Sequence, residues 1–493
     1  MRASAAVALA GVAAAGATIP VQAQDWTTAG YDAQRSSWVR TDPKISPTTL
    51  RQPGFQLLWT VKVDAEAPPV LLDLLIGHRG FKALGFFGAS ADRVLAVDTD
   101  LGRIEWQRRL TTSPSPAAGS PSCASAWVPN VARATNPALP APGYGGGRGG
   151  EAARSAVGEP RQGAVTLAAA AARRREPRPP PPPADTTRAK PLRQRPSPHP
   201  FPVFYVLASD GALHTLNVMD GSDAEPPVPF VPPNAEVRGL IVVDDVAYVA
   251  TGECGKAPAG MWALDLGTKH VTTWRGAVAG AVGPAMGPDG TIYVATARGE
   301  LIALEPLTLA RKGVYRTDGV AFISSPVIFE HHGRKLIAAA TRDGRVRLVD
   351  ASGLAAVGAP TGPSAGLAAG AGALVSWVDS GGTRWLLGQG RGGVVSWKVV
   401  DQNEATVLQP GWTSRDIPAL SPLVINGVVF AVSGGRSRVS VLHALDGATG
   451  LELWNSGTAI GAIARGALSG ESGQVYVVTN DGTVYGFGFP MEH

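Results

Sequence analysis

Five arginines offer the plainest chemistry in the chain. Arg298, Arg342, Arg391, Arg436 and Arg438 all fall in short segments rich in Gly, Ser or Asp, with apolar runs on either side. A guanidinium is a fixed fork of donors that stays charged at any physiological pH, so several on one surface favour carboxylate-rich ligands, acidic proteins or anionic polysaccharides. Turns in water also favour charged residues without any ligand. Glu253, in the long turn Thr251 to Lys256 beside Cys254, is the carboxylate to test as a metal ligand, although an exposed turn glutamate is the commoner outcome. Cysteine and histidine spacings do not suggest a zinc site. No nucleophile elbow, paired metal histidines or phosphate-cradling loop stands out, and no nucleic-acid-binding module is present, which leaves no specific nucleic acid as an expected partner.

What would bring the arginines together is a repeat. A phrase made of a small turn residue, a spacer, Leu or Val, two spacers, an apolar residue and often an acid recurs along the chain, clearest at Gly299 to Glu305, Gly344 to Asp350 and Gly392. Its turn positions are Asp92, Gly211, Ala259, Gly299, Gly344, Gly392, Ser440 and Gly482, at intervals of 119, 48, 40, 45, 48, 48 and 42 residues. The long first interval contains a low-complexity insertion, so the frame gives eight units. Each unit reads as strands: Ser325 to Ile328, then Leu336 to Ala340, then Val346 to Val349, with Gly and Asp between them. Units of 40 to 50 residues and about four strands imply a β-propeller. The expectation is therefore all-β: an eight-bladed β-propeller of four-stranded antiparallel blades, with the arginines of successive units forming an arc on one face.

The turn after the third strand carries a second signature. Ala444, Asp446, Thr449, Gly450 and Trp454 form one copy, Ala96, Asp98, Gly102 and Trp106 another, and Ala263, Asp265, Thr268 and Trp274 a third that is longer by one residue. Asp can cap such a turn, Gly can take positive φ, and Trp can bury a large face between blades. Asp98, Asp265, Asp350 and Asp446 therefore read as turn residues and not as catalytic acids. The pattern resembles the repeat of the pyrroloquinoline quinone (PQQ)-like propellers, the quinoprotein alcohol dehydrogenase-like superfamily that includes the outer-membrane assembly scaffold BamB. Asp25, Trp26, Gly30, Asp32, Gln34 and Arg35 look like the opening segment of such proteins. The resemblance covers nearly the whole mature chain except the insertion.

That resemblance implies two kinds of function. Quinoprotein dehydrogenases hold PQQ and Ca²⁺ on the propeller axis, and alcohol-oxidising members commonly place a disulfide of adjacent cysteines over the cofactor. Here Cys123 and Cys254 are not adjacent, the units outside the insertion are close to minimal, and no position matches the family's Ca²⁺ ligands or catalytic Asp. The favoured reading is a binding or scaffold module for a protein partner, an anionic small molecule or a polysaccharide. The alternative is a PQQ- and Ca-dependent dehydrogenase oxidising alcohols or sugars, in which the arginine arc would suit a tricarboxylate such as PQQ.

The remaining expectations concern the ends and the insertion. Residues 1–23 read as a secretory signal, with Arg2, an Ala/Val/Gly-rich run and a cleavage site after Ala23, which predicts a periplasmic or secreted protein with no transmembrane segment in the mature chain. No Cys stands at that site for a lipid anchor of the BamB kind. In an oxidising compartment Cys123 and Cys254 can pair only if their backbones come close. Residues 24–56 form a leading segment and 57–493 the propeller. Residues 129–200 hold 12 Lys or Arg against 4 Asp or Glu, a balance of +8 in a chain of net charge +5, with runs of Pro, Gly and Arg; they read as a disordered basic insertion, with Val165 to Ala172 a short helical stretch. Finally, the last unit stops too early for an outer strand, whereas Leu57 to Val63 looks like an outer strand with no unit before it. Pairing the two closes the ring and removes its open edges.

Overall fold

The computed structural model describes residues 25–77, 80–111, 129–132, 202–253, 257–358, 367, 372–403, 405–414, 417, 420–433 and 439–490. The predicted signal, the body of the insertion with its helical stretch, both cysteines, Arg436 and Arg438 lie outside them. Among the described residues the secondary structure is strand throughout, apart from one 3₁₀ turn at Thr49–Arg51.

The strands form eight sheets. In chain order the blades span residues 70–109, 130–229, 237–275, 285–316, 327–350, 375–413, 423–455 and 469–488, matching the eight units of the repeat. Strands within a blade run as antiparallel meanders from the axis outward. In blade 5 the outer place is held by a short bridge between Val349 and Ala356. Inner strands of neighbouring blades touch, and Ser469–Glu471 of blade 8 meets Val70–Gly77 of blade 1, so the ring is closed.

Closure takes the predicted form. Gln56–Lys62 pairs antiparallel with the last strand, Thr483–Gly488, with Trp59 opposite Gly486 and Lys62 opposite Thr483, and becomes the outer strand of blade 8. The first and last parts of the chain thus share one sheet, and neither leaves an open edge at the seam.

Packing explains the alternation of each strand. In Val246–Thr251 of blade 3, Val246, Tyr248 and Ala250 face blade 4, while Ala247 and Val249 face blade 2. A strand buried on both faces reads as a continuous apolar run. Separate apolar clusters fill the gaps between successive blades, and the largest spans blades 7, 8 and 1 with the leading segment. No blade could bury both its faces alone.

The turn signature is structural, as its residue types imply. Asp98 Oδ1 accepts the backbone N–H groups of Asp100 and Leu101, Asp265 Oδ1 those of Gly267 and Thr268, and Asp446 Oδ1 those of Ala448 and Thr449. Asp350 Oδ1 accepts from Ser352 N–H. Outer-strand tryptophans then reach across to the next blade: Trp59 Nε1 donates to Thr99 O (2.6 Å), Trp106 Nε1 to Val218 O (3.0 Å) and Trp412 Nε1 to Gly447 O (2.8 Å). Beneath each ring lies a glycine with positive φ, Gly102, Gly221 or Gly450, where a Cβ would sit only 2.5 to 2.6 Å from the indole. Trp59 therefore docks blade 8 on blade 1 by the same device that joins internal blades.

The leading segment passes across the centre. Leu71 N donates to Trp26 O in blade 1, Asn130 Nδ2 to Thr27 O in blade 2, and Thr28 Oγ1 donates to Leu240 O in blade 3. Met286 N donates to Ala33 O, Ile328 N to Gln34 O, Ser376 N to Ser36 O and Val424 N to Ser37 O, in blades 4 to 7. Trp26 N donates to Glu471 Oε2 in blade 8. One short segment thus bonds to every inner strand. Trp38–Val39 even adds a parallel strand inside blade 7.

Candidate functional site

A meandering blade puts its first and third turns on one face of the ring; its second turn and the connection to the next blade lie on the other. Asn426 and Gly473, which bond to the leading segment through Val39 O and Asp42 Oδ2, belong to first turns. The segment accordingly seats toward the first-turn face, and the arginine turns occupy the opposite one.

These second turns share a local design. Thr341 Oγ1 donates to Asp343 Oδ1 (2.6 Å), Thr479 Oγ1 donates to Asp481 Oδ1 (2.6 Å), and the following Gly344 and Gly482 have φ of 77°. Arg342 and Arg391 take the residue after the first turn position, Thr341 in blade 5 and Gly390 in blade 6. Arg298 of blade 4 falls one residue later, where blades 5 and 8 have Asp343 and Asp481. The arginines of blades 4 to 6 therefore share a face but not a single register.

Arg298, Arg342 and Arg391 are all exposed. None makes an ion pair with a described residue, whereas Arg345 and Arg347 beside them are held by Asp343 at 3.7 and 3.0 Å. Acidic residues dominate the equivalent turns on the other side of the ring: Asp481 faces Lys62 at 3.8 Å, and Asp92 accepts bonds from Thr111 Oγ1 and Ser209 N. The described second turns of blades 4 to 6 thus carry Arg298, Arg342 and Arg391, whereas those of blades 8, 1 and 2 carry Asp481, Asp92 and Asp210.

Carboxylates nearer the axis are engaged one by one. Glu236 is clamped by Arg238, whose Nε lies 2.9 Å from Glu236 Oε1. Burial, with a smaller repulsion from Asp92, pushes the Glu66 carboxyl up against the pull of Arg465. Calcium needs six to eight converging oxygens. Among the described residues no three carboxylate or imidazole groups of this face converge to ligating distance. No cluster of three such side chains therefore marks a calcium site on this face among the described residues. Glu253 is exposed in its turn and joins no such group among the described residues.

Two constellations are absent from the sequence reading. Arg35, almost fully buried, ties the leading segment to blades 3 and 4 through Gly239 O and Pro284 O. His331, His332 and Asp401 come together on the first-turn face from blades 5 and 6. Adjacent histidines are visible in the sequence, but the aspartate joins them only through blade stacking.

Neither a family model nor a curated protein sequence matches the chain. Solved structures do. Quinohemoprotein alcohol dehydrogenase from Comamonas testosteroni superposes with a TM-score of 0.58 at 14% identity, covering 95% of this chain and 81% of that one. A europium-containing methanol dehydrogenase gives 0.57 at 10% identity, over 94% and 98% of the two chains. BamB from Moraxella catarrhalis gives 0.50 at 14% identity, over 89% and 99%. Identities this low carry the fold alone, and that fold serves enzymes and non-enzymes alike. No described helix is long and apolar enough to cross a membrane. The chain thus has an eight-bladed β-propeller fold, similar to that of these solved structures.

Proposed function

We propose that the protein is an extracytoplasmic binding or scaffold module whose working surface is the second-turn face, and that the positive sector over blades 4 to 6 receives a carboxylate-rich partner, an acidic protein segment or an anionic polysaccharide. The supporting observation is the trio Arg298, Arg342 and Arg391: exposed, in consecutive blades, and without a carboxylate partner among the described residues, while neighbouring arginines are paired. Arg436 and Arg438 would extend the sector to blade 7. The short turns that carry Arg298, Arg342 and Arg391 suit a broad ligand laid across them better than a small substrate enclosed in a pocket.

Calorimetric titration with polyglutamate and polygalacturonate tests the reading. Exposed charge pairs contribute about 0.2–1 kcal/mol each, so Arg342→Ala with Arg391→Ala should weaken binding roughly 2- to 30-fold. Binding should fall steeply with salt, and the melting temperature should not change. Equal affinity in the double variant removes this face from the account. Absorbance changes and dye reduction with alcohols or sugars after addition of PQQ and Ca²⁺ would instead make the protein a quinoprotein dehydrogenase.

A further inference from the structure

The first turn of blade 5 differs from its equivalents in chemistry. Position two of that turn is Asp244 in blade 3, Asn426 in blade 7 and Ser472 in blade 8, all with φ between 44° and 50°. Short polar residues tolerate this left-handed backbone. Blade 5 places His332 there, with φ 47°, directly after His331 and before Gly333. Asp401, at the third turn of blade 6, meets both rings. His332 Nδ1 lies 2.6 Å from Asp401 Oδ2, and His331 Nε2 lies 3.4 Å from Asp401 Oδ1.

The two imidazoles are not equivalent. His332 is exposed and engaged with the carboxylate, a common surface pair. The His331 side chain is only 7% exposed, and its Nε2 is buried without a hydrogen-bond partner among the described residues while aimed at the same carboxylate. A buried polar atom left unbonded is costly, and a cation between it and Asp401 would satisfy it. Ligands about 2.0–2.1 Å from a tetrahedral ion lie roughly 3.4 Å apart, which is the His331–Asp401 separation. All three ligand atoms lie within 4.8 Å of one another, and Thr406 Oγ1 donates to Asp401 Oδ1 (2.7 Å), holding the carboxylate in place.

We infer that His331 Nε2, His332 Nδ1 and the Asp401 carboxylate form a binding site for a divalent transition ion of the zinc type, bridging blades 5 and 6. Two imidazoles and a carboxylate select borderline ions over calcium or magnesium. Exposure of His332 and Asp401 leaves room for water in the remaining positions. The site joins blade 6 to blade 5, whose outer place shows, among the described residues, a short bridge. This site lies on the face opposite the arginine sector and does not depend on the binding function assigned there.

Tag-free, chelator-treated full-length protein titrated with Zn²⁺ in a calorimeter provides the test, with Co²⁺ absorption as a second readout. The wild type should bind one ion, give a Co²⁺ spectrum of a low-coordinate nitrogen–oxygen site, and melt at a higher temperature when Zn²⁺ is present. His332→Asn, which installs the residue that blade 7 uses at this turn, and Asp401→Asn should each weaken binding at least about tenfold and abolish the thermal shift. Absence of wild-type binding, or equal binding by both variants, would show a surface ion pair only and overturn the inference.

Discussion

Replacing Arg35 by methionine should destabilise the whole ring, although Arg35 belongs to no blade. Its guanidinium is 1% exposed and donates from Nε to Pro284 O (2.7 Å), from Nη1 to Thr28 Oγ1 (2.9 Å) and Ala29 O (2.5 Å), and from Nη2 to Gly239 O (2.9 Å). Burial pulls its pKa down to about 10 against the support of Asp32, still high enough to keep it charged. Methionine fills similar volume but leaves the carbonyls of Pro284, Ala29 and Gly239 without this donor, each at about 1–3 kcal/mol. Relief from burying a charge offsets part of that cost. The expected net loss is about 3 kcal/mol, read as a lower urea midpoint at unchanged slope by tryptophan fluorescence. Arg35→Lys should lose about 2 kcal/mol, because one ammonium cannot reproduce the planar fork toward two blades. A loss below about 1 kcal/mol for the methionine variant would refute the idea that this side chain fastens the axial segment to the ring.

The seam and one buried histidine give further expectations. Trp59→Ala removes a buried indole and its bond to Thr99 O, which should cost about 3–5 kcal/mol, and Gly102→Ala should damage the same contact from the other side; equilibrium unfolding of both variants checks this, and wild-type stability in either would count against indole docking at the seam. Deleting residues 55–63 should be more severe still, leaving the outer edge of the last strand unpaired; unchanged melting would contradict that. His214, whose ring nitrogens are buried without hydrogen bonds among the described residues, has its pKa lowered from 6.5, first by burial and then by Arg108, against Asp210 and Asp223. The unfolded chain then binds the extra proton, so stability is complete above about pH 6.5 and falls as pH drops toward the folded pKa, by at most about 1.4 kcal/mol per pH unit. His214→Leu should flatten that slope in urea titrations across the range, and an unchanged slope would show that the histidine titrates alike in both states.

Periodicity carried the architecture because a propeller repeats one solution eight times. Gly299, Gly344 and Gly482 stand where a turn needs positive φ, and Asp98 and Asp446 where it needs a cap, so their spacing alone counts blades. Trp59 was legible as part of an orphan strand whose partner had to be the last blade. Arg35 was visible as a residue of the opening segment, but its bonds go to backbone carbonyls more than 200 positions away, which no residue type announces. The one-residue offset of Arg298 from Arg342 depends on turn geometry that aligned sequences do not record. Asp401 meets His331 and His332 only because adjacent blades present different turns on one face.

Hydrogen exchange followed strand by strand bears most directly on the closed ring that presents both faces. Amides of residues 56–62 and 483–488 should exchange as slowly as those in the middle strands of the internal blades, opening only with the whole molecule. Rapid exchange of 56–62, with the rest of the ring still protected, would mean that the amino-terminal strand is not part of blade 8.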